Sequence, residues 1–249
     1  MHSFRFGLQC REPADPIRWR ALARKAEDLG WSTLTMADHF HESLAPIPAV
    51  MAAADATSTL RVGTMVLAND YRHPVVLAKE AATLDVLTGG RFELGIGAGW
   101  MITDYEAAGI PLERAGVRVA RLTESLAVLK GLWADGAFSH RGEHYQIDGL
   151  EGLPAPLTPG GPRLVIGGGG ERVLRLAALH ADVVGINVNL AAGVMDAQAF
   201  PDGTPESTDR KVAWVRAAAT GRPTEPELQV RVHLAMVTDE AAEETAQAS

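Results

Sequence analysis

Asp38-His39-Phe40 stand in a row where the apolar segment Ser32 to Ala37 runs out. An imidazole gives or takes a proton near neutral pH, and a neighbouring carboxylate favours its protonated form, so the pair suits general acid or base work. Two later segments end in glycine-rich turns, Gly95-Ile96-Gly97-Ala98-Gly99-Trp100 and Gly167-Gly168-Gly169-Gly170-Glu171. Glycine lets backbone come close to an anion, and a helix starting there adds unpaired N–H groups and partial positive charge. Polar groups and permissive backbone at successive strand ends point to one site assembled from several strands, as in a barrel enzyme. Each feature also has an ordinary structural reading: a histidine capping a loop, an aspartate capping a turn, glycines that only punctuate the chain.

The elements that must position these residues alternate between strand-like and helix-like. Phe4 to Leu8 reads as a strand; Asp15-Pro16 then caps and opens a helix on which Leu22, Ala26 and Leu29 recur before Gly30 stops it. Ser32 to Ala37 is the second strand, Pro46 to Ser58 an alanine-rich helix and Leu60 to Ala68 the third strand. Pro74 starts a helix with Leu77, Ala81 and Leu84 on one face, ended by Gly89-Gly90. Arg91 to Ile96 is the fourth strand, followed after a loop by the longest helix, striped by Leu122, Leu126, Leu129 and Trp133. Phe138 to Ile147 reads as a hairpin, and the proline-rich stretch from Leu153 to Pro159 as a rigid connector. Leu164 to Ile166, Arg172 to His180 and Asp182 to Val188 give a strand, a helix and a strand. Asn189 to Pro205 lacks periodicity and is expected to be an insertion lying over the site as a lid. Ser207 to Ala219 is a helix with Val212, Val215 and Ala219 on one side, Leu228 to Val237 a seventh strand, and Asp239 to Ser249 the start of a helix.

Seven regular βα units fit an α/β barrel of the TIM (β/α)8 type better than an open Rossmann sheet. The eighth unit is missing from this reading, so the chain is truncated, or another element covers the gap, or the barrel is open there. With 249 residues, 47% of them hydrophobic, one domain over 1–249 is expected, with the insertion at about 189–205. A net charge of −8 gives no support for a nucleic-acid or anionic-membrane surface, so the partner is expected to be a small molecule. No apolar run reaches the roughly 18 to 20 residues of a membrane span and no signal peptide opens the chain, which makes a cytoplasmic setting the expectation. Cys10 is the single cysteine and none of the eight histidines forms HExxH, so no metal site is expected. Neither glycine run is a dinucleotide fingerprint: GxGxxG counted from Gly95 meets Trp100 at its last position, and from Gly167 it meets Arg172.

Together with Gly142-Glu143-His144-Tyr145, the segments Ala37 to Phe40, Gly90 to Trp100 and Gly167 to Gly170 resemble, in order, the luciferase-like monooxygenase superfamily. Within it the chain is most similar to members that use the deazaflavin coenzyme F420. Family members are usually longer and carry the closing strand beyond the point where this reading stops. The resemblance implies a coenzyme across the carboxyl ends of the strands, with its phosphate at Gly168, Gly169 and Gly170. It implies a cis peptide not involving proline near Met65-Val66, with Leu67 and Ala68 also backing the ring. Thr103 and Asp104, following at the mouth, could bind polar atoms, and Gly97, Ala98, Gly99 and Thr103 are assigned to the coenzyme as well. Arg72, His73 and Arg172 could meet its anionic tail. Asp38 would hydrogen-bond or position the coenzyme, and His39 would serve as general acid or base. Some deazaflavin-dependent sugar-phosphate dehydrogenases carry a proton-donating glutamate at the position of Trp100. An indole cannot donate as an acid, and Trp100 would instead wall an apolar or aromatic substrate.

The leading reading is an oxidoreductase moving hydride between F420 and an unidentified small organic substrate. The alternative within the same fold is an FMNH2-dependent monooxygenase, with FMN as cofactor. A reading of another class is a catalytically silent barrel that binds a flavin or a partner subunit. Resemblance to the family is also consistent with a homodimer.

Overall fold

β1 (Gly7–Cys10) leads to α1 (Pro16–Asp28), β2 (Thr33–Met36) to α2 (Pro46–Asp55), and β3 (Arg61–Thr64) with the short β4 (Leu67–Ala68) to α3 (Pro74–Leu87). β5 (Phe92–Gly97) is followed by α4 (Ile102–Ala108), α5 (Ala115–Trp133) and the antiparallel hairpin β6 (Ala137–Arg141) and β7 (Gln146–Glu151). Then come β8 (Arg163–Gly168), α6 (Glu171–His180), β9 (Val183–Ile186), α7 (Pro205–Ala219) and β10 (Glu227–Val230). The computed structural model describes residues 4–11, 15–41, 44–195 and 200–232. The part of the expected seventh strand beyond 232 and the expected helix from Asp239 lie outside them.

The main sheet is wholly parallel, in the order β1-β2-β3-β5-β8-β9-β10, with β4 pairing β5. This is the barrel sheet of the α/β architecture, and among the described residues β10 and β1 are not paired with each other. Helix starts follow local chemistry. Asp15 accepts hydrogen bonds from the N–H groups of Ile17 and Arg18, both at 2.9 Å, with Pro16 in the first turn. His73 and Thr204 cap α3 and α7 in the same way, each before a proline. The stripe of α5 is buried from Leu122 to Trp133, and Trp133 donates its indole N–H to the carbonyl of Ala78 at 3.0 Å, which ties α5 to α3. Each such leucine contributes about 1.5 to 3 kcal/mol by leaving water. No helix among the described residues is long and apolar enough to cross a membrane.

Four local expectations are corrected. The first strand begins at Gly7 rather than Phe4, and Phe4 and Phe6 are exposed. Leu29 caps the end of α1 and is exposed, so the buried face of that helix is Trp19, Ala23 and Ala26. The third strand is broken into β3 and β4 at Met65-Val66. The loop after β5 contains a helix, α4, that the composition of Ile102 to Ala108 does not announce.

The amino-terminal rim is closed by charge. Glu93, 5% exposed, accepts from Arg5 at 3.3 Å, Arg61 at 2.7 Å and Arg163 at 3.4 Å. Glu227 pairs with Arg5 and Arg163 in turn, which bridges the segment before β1 to the start of β10. Burial would raise the Glu227 carboxyl, but the hydrogen bonds from Arg5 and Arg163 prevail and hold it below the usual carboxylate range.

Candidate active site

The chain leaves β2 through Ala37, Asp38 and His39. Asp38 is buried, and both its oxygens are engaged: Arg72 Nη1 and Nη2 donate to it at 2.5 and 3.0 Å, and the Ala68 N–H at 3.1 Å. A bidentate guanidinium pair of this kind fixes geometry as well as charge. Asp38 therefore clamps the end of β2 to β4, and Arg72 is committed to it instead of being left to an anionic tail.

The carboxylate that reaches His39 is Asp104, on α4. Its Oδ2 lies 2.6 Å from His39 Nδ1, and its Oδ1 accepts from the Phe40 N–H at 3.4 Å. Asp104 is itself placed by neighbours: Tyr105 donates to Asp70 at 3.0 Å, and Asp70 accepts from Arg121 at 2.8 Å. Burial, reinforced by Asp70, pushes the Tyr105 hydroxyl pKa upward, so it stays protonated as that bond requires. With Nδ1 facing a carboxylate, the imidazole carries its proton there and leaves Nε2 free to act. The edge of the ring meets Trp100 at a centroid distance of 5.6 Å and an interplanar angle of 85°. Tyr71 stands between Phe40 and Tyr105, at 4.6 and 5.3 Å, and extends this aromatic wall. Burial first, then the charge of Asp104, pushes its hydroxyl pKa upward too.

The opposite wall is backbone. The Met65-Val66 peptide is cis, where the resemblance places such a bond. The Met65 N–H donates to the Met36 carbonyl at 2.7 Å and its carbonyl accepts from Gln9 at 3.0 Å. Val66 lies over the glycines of β5 and β8; a Cβ on Gly97 would sit 2.9 Å from its Cγ2. At the β8–α6 turn a Cβ on Gly169 would stand 2.1 Å from the Val188 carbonyl oxygen, so glycine is required for the close passage. Gly170 caps α6 without a side-chain hydrogen bond, which leaves the first N–H groups of that helix for another acceptor. Arg118, 6% exposed, donates to the Gly99 carbonyl, while its Nε has no partner.

One cavity of about 2610 Å³ joins these walls, lined by His39, Val66, Trp100, Arg118 and Gly169 at this rim and by Arg5, Glu93 and Glu227 at the other. Its volume exceeds the roughly 300 to 1,000 Å³ of an ordinary ligand site, and its lining includes residues of β1 and β10, the two edges not paired with each other among the described residues.

His39, Asp38, Met65, Val66, Leu67, Ala68, Gly97, Ala98, Gly99, Trp100, Gly168, Gly169 and Gly170 all line this cavity, as does Arg172. Thr103 does not: it is exposed on the outer side of α4, and its neighbour Asp104 turns inward. His73 caps α3 and packs against Tyr145. Tyr71 and Arg118 escaped sequence reasoning, and the sequence alone marks Asp104 only as a polar residue at the mouth, not as the partner of His39. Arg118 had a signal, since it continues the stripe of Leu122, Leu126 and Leu129 one turn upstream, and a charge on a buried stripe needs a partner.

The model of the luciferase-like monooxygenase family matches residues 1–249. The chain belongs to the luciferase-like monooxygenase family. Among its curated relatives, an FMNH2-dependent dimethylsulfone monooxygenase of Pseudomonas fluorescens (strain Pf0-1) is 33% identical over 184 residues, covering 70% of this chain and 49% of the relative. An F420-dependent glucose-6-phosphate dehydrogenase of Amycolatopsis mediterranei (strain U-32) is 30% identical over 181 residues, covering 68% and 52%. The chain thus spans about half the length of the curated luciferase-like relatives it matches. The structure of an F420-dependent secondary alcohol dehydrogenase with an F420-acetone adduct superposes with a TM-score of 0.76 at 21% identity, covering 92% of this chain and 68% of that one. The barrel fold is shared with it.

Proposed function

We propose that the chain is an oxidoreductase that transfers hydride between coenzyme F420 and a small uncharged organic substrate, an alcohol or the corresponding carbonyl compound. The observation that carries this reading is the 2.6 Å contact of His39 Nδ1 with Asp104, which leaves Nε2 to face the chemistry beside Trp100. Coenzyme F420, when bound, supplies a two-electron hydride carrier. Nε2 of His39 would accept the proton of an alcohol hydroxyl in the oxidative direction and return it to the carbonyl oxygen in the reductive one. Asp104 holds the tautomer and the ring plane, so it is a positioning residue.

The residues present fit a flat coenzyme with a phosphate. Met65, Val66, Leu67 and Ala68 would back the ring, with Gly97, Ala98 and Gly99 at its side. Gly168, Gly169 and Gly170 and the uncapped start of α6 would take the phosphate. Asp38, at the cavity wall, supports this floor through Arg72 and Ala68. Trp100 and Tyr71, which line the cavity, favour an apolar or aromatic substrate body.

A second reading, an FMNH2-dependent monooxygenase, is favoured by the similarity to the dimethylsulfone enzyme and by a cradle that also suits a terminal phosphate. Titration of the chain against oxidised F420 and against FMN, followed by quenching of coenzyme fluorescence, tests the ranking. Saturable quenching of F420 is expected. Tight binding of FMN alone would reverse the order, and binding of neither would favour a silent barrel.

A further inference from the structure

His39 and His41 are two residues apart and both turn Nδ1 toward Asp104. The contacts are 2.6 Å from His39 to Oδ2 and 3.5 Å from His41 to Oδ1, and the rings stack at a centroid distance of 5.2 Å. The three ligand atoms all lie within 4.8 Å of one another. Asp104 and His39 are largely buried, and His41, with 56% of its side chain exposed, leaves one side of the group open to solvent.

We infer that His39, His41 and Asp104 form a binding site for a divalent transition ion of the zinc type, and that the ion silences the enzyme by capturing His39. Two imidazoles and one carboxylate are the donor set such ions take, with water at the remaining position. Ligands at about 2.0 to 2.2 Å from a tetrahedral ion stand roughly 3.3 Å apart. His41 already meets that spacing. The closer His39 contact spans the Nδ1 hydrogen, and the ion takes its place as that hydrogen moves to Nε2, so the neutral ring changes tautomer without net proton release. His39 then carries its hydrogen on Nε2 and its lone pair on the metal, and has no site left to accept the proton of an alcohol. The binding claim stands on geometry alone; the inhibition rests on the role proposed for His39.

The test uses the purified chain and zinc in competition with a chromophoric chelator, alongside cobalt absorption spectra and F420 turnover. One ion per chain is expected, with affinity reduced at least about 100-fold in His41→Ala, because a ligand is lost. In chelator-treated buffer His41→Ala should turn over like the unaltered chain, and micromolar zinc should inhibit the unaltered chain only. Zinc affinity unchanged in both His41→Ala and His41→Gln would overturn the site. Loss of affinity in His41→Ala together with turnover indifferent to zinc would keep the site, refute the silencing and remove His39 from the chemistry.

Discussion

At the amino-terminal rim Glu93 and Glu227 share Arg5 and Arg163, Glu93 also holds Arg61, and each carboxylate is answered by more than one guanidinium. At the carboxyl-terminal rim His39 keeps one nitrogen on Asp104 and leaves the other open, Arg118 has an unmatched Nε, and α6 starts without a capping side chain. Both rims line the same cavity. Charges paired among themselves hold strands together, whereas a ring nitrogen left open and an uncapped helix start keep hydrogen-bonding capacity for another partner.

Substitutions on the two rims should therefore fail in different assays. His39→Ala should lower turnover by about 10²- to 10⁴-fold while F420 binding, read by fluorescence, stays intact. Glu93→Ala leaves three arginines short of a buried partner; chemical denaturation should show a loss of about 3 to 5 kcal/mol, with F420 affinity unchanged in the protein that remains folded. Asp104→Asn should reduce kcat by about 10- to 100-fold with little change in KM, and Asp104→Glu should restore part of it. Gly169→Ala places a methyl against the Val188 carbonyl and should weaken F420 binding by about 10-fold or more, a cost of at least about 1.4 kcal/mol.

The smallest effect lies away from both rims. Glu27 accepts backbone hydrogen bonds from Ser58, Thr59 and Leu60, led by that of Thr59, which hold its carboxyl at about 2. A carboxyl depressed by folding stabilises the protein above its ordinary value of 4.5 and loses that contribution as pH falls toward about 2. Glu27→Gln should cost about 1 to 2 kcal/mol near neutral pH, and the gap between the two proteins should close across that acidic window in denaturation curves.

The sequence pattern locates most of the scaffold because caps, prolines and apolar stripes act over a few residues. Asp15 before Pro16 and the stripe from Leu122 to Trp133 needed no tertiary context, and the strand ends carrying His39, Trp100 and Gly169 do line one cavity. What stayed hidden depends on contacts between distant segments. Asp104 is 65 residues from His39, and its pairing depends on α4, whose seven residues carry no capping side chain or clear stripe. Without that helix, Thr103 and Asp104 look interchangeable; on it, about 100° of rotation puts one in solvent and the other on His39. Asp38, adjacent to His39 in sequence, is instead drawn to Arg72 across the β3–β4 break.

The most direct measurement is a crystal structure of the chain with oxidised F420. The account predicts the deazaflavin ring against Met65-Val66 with its reactive face toward His39 and Trp100, and the phosphate at Gly168 to Gly170. A coenzyme bound near Glu93 and Glu227, or outside the cavity with His39 untouched, would contradict it.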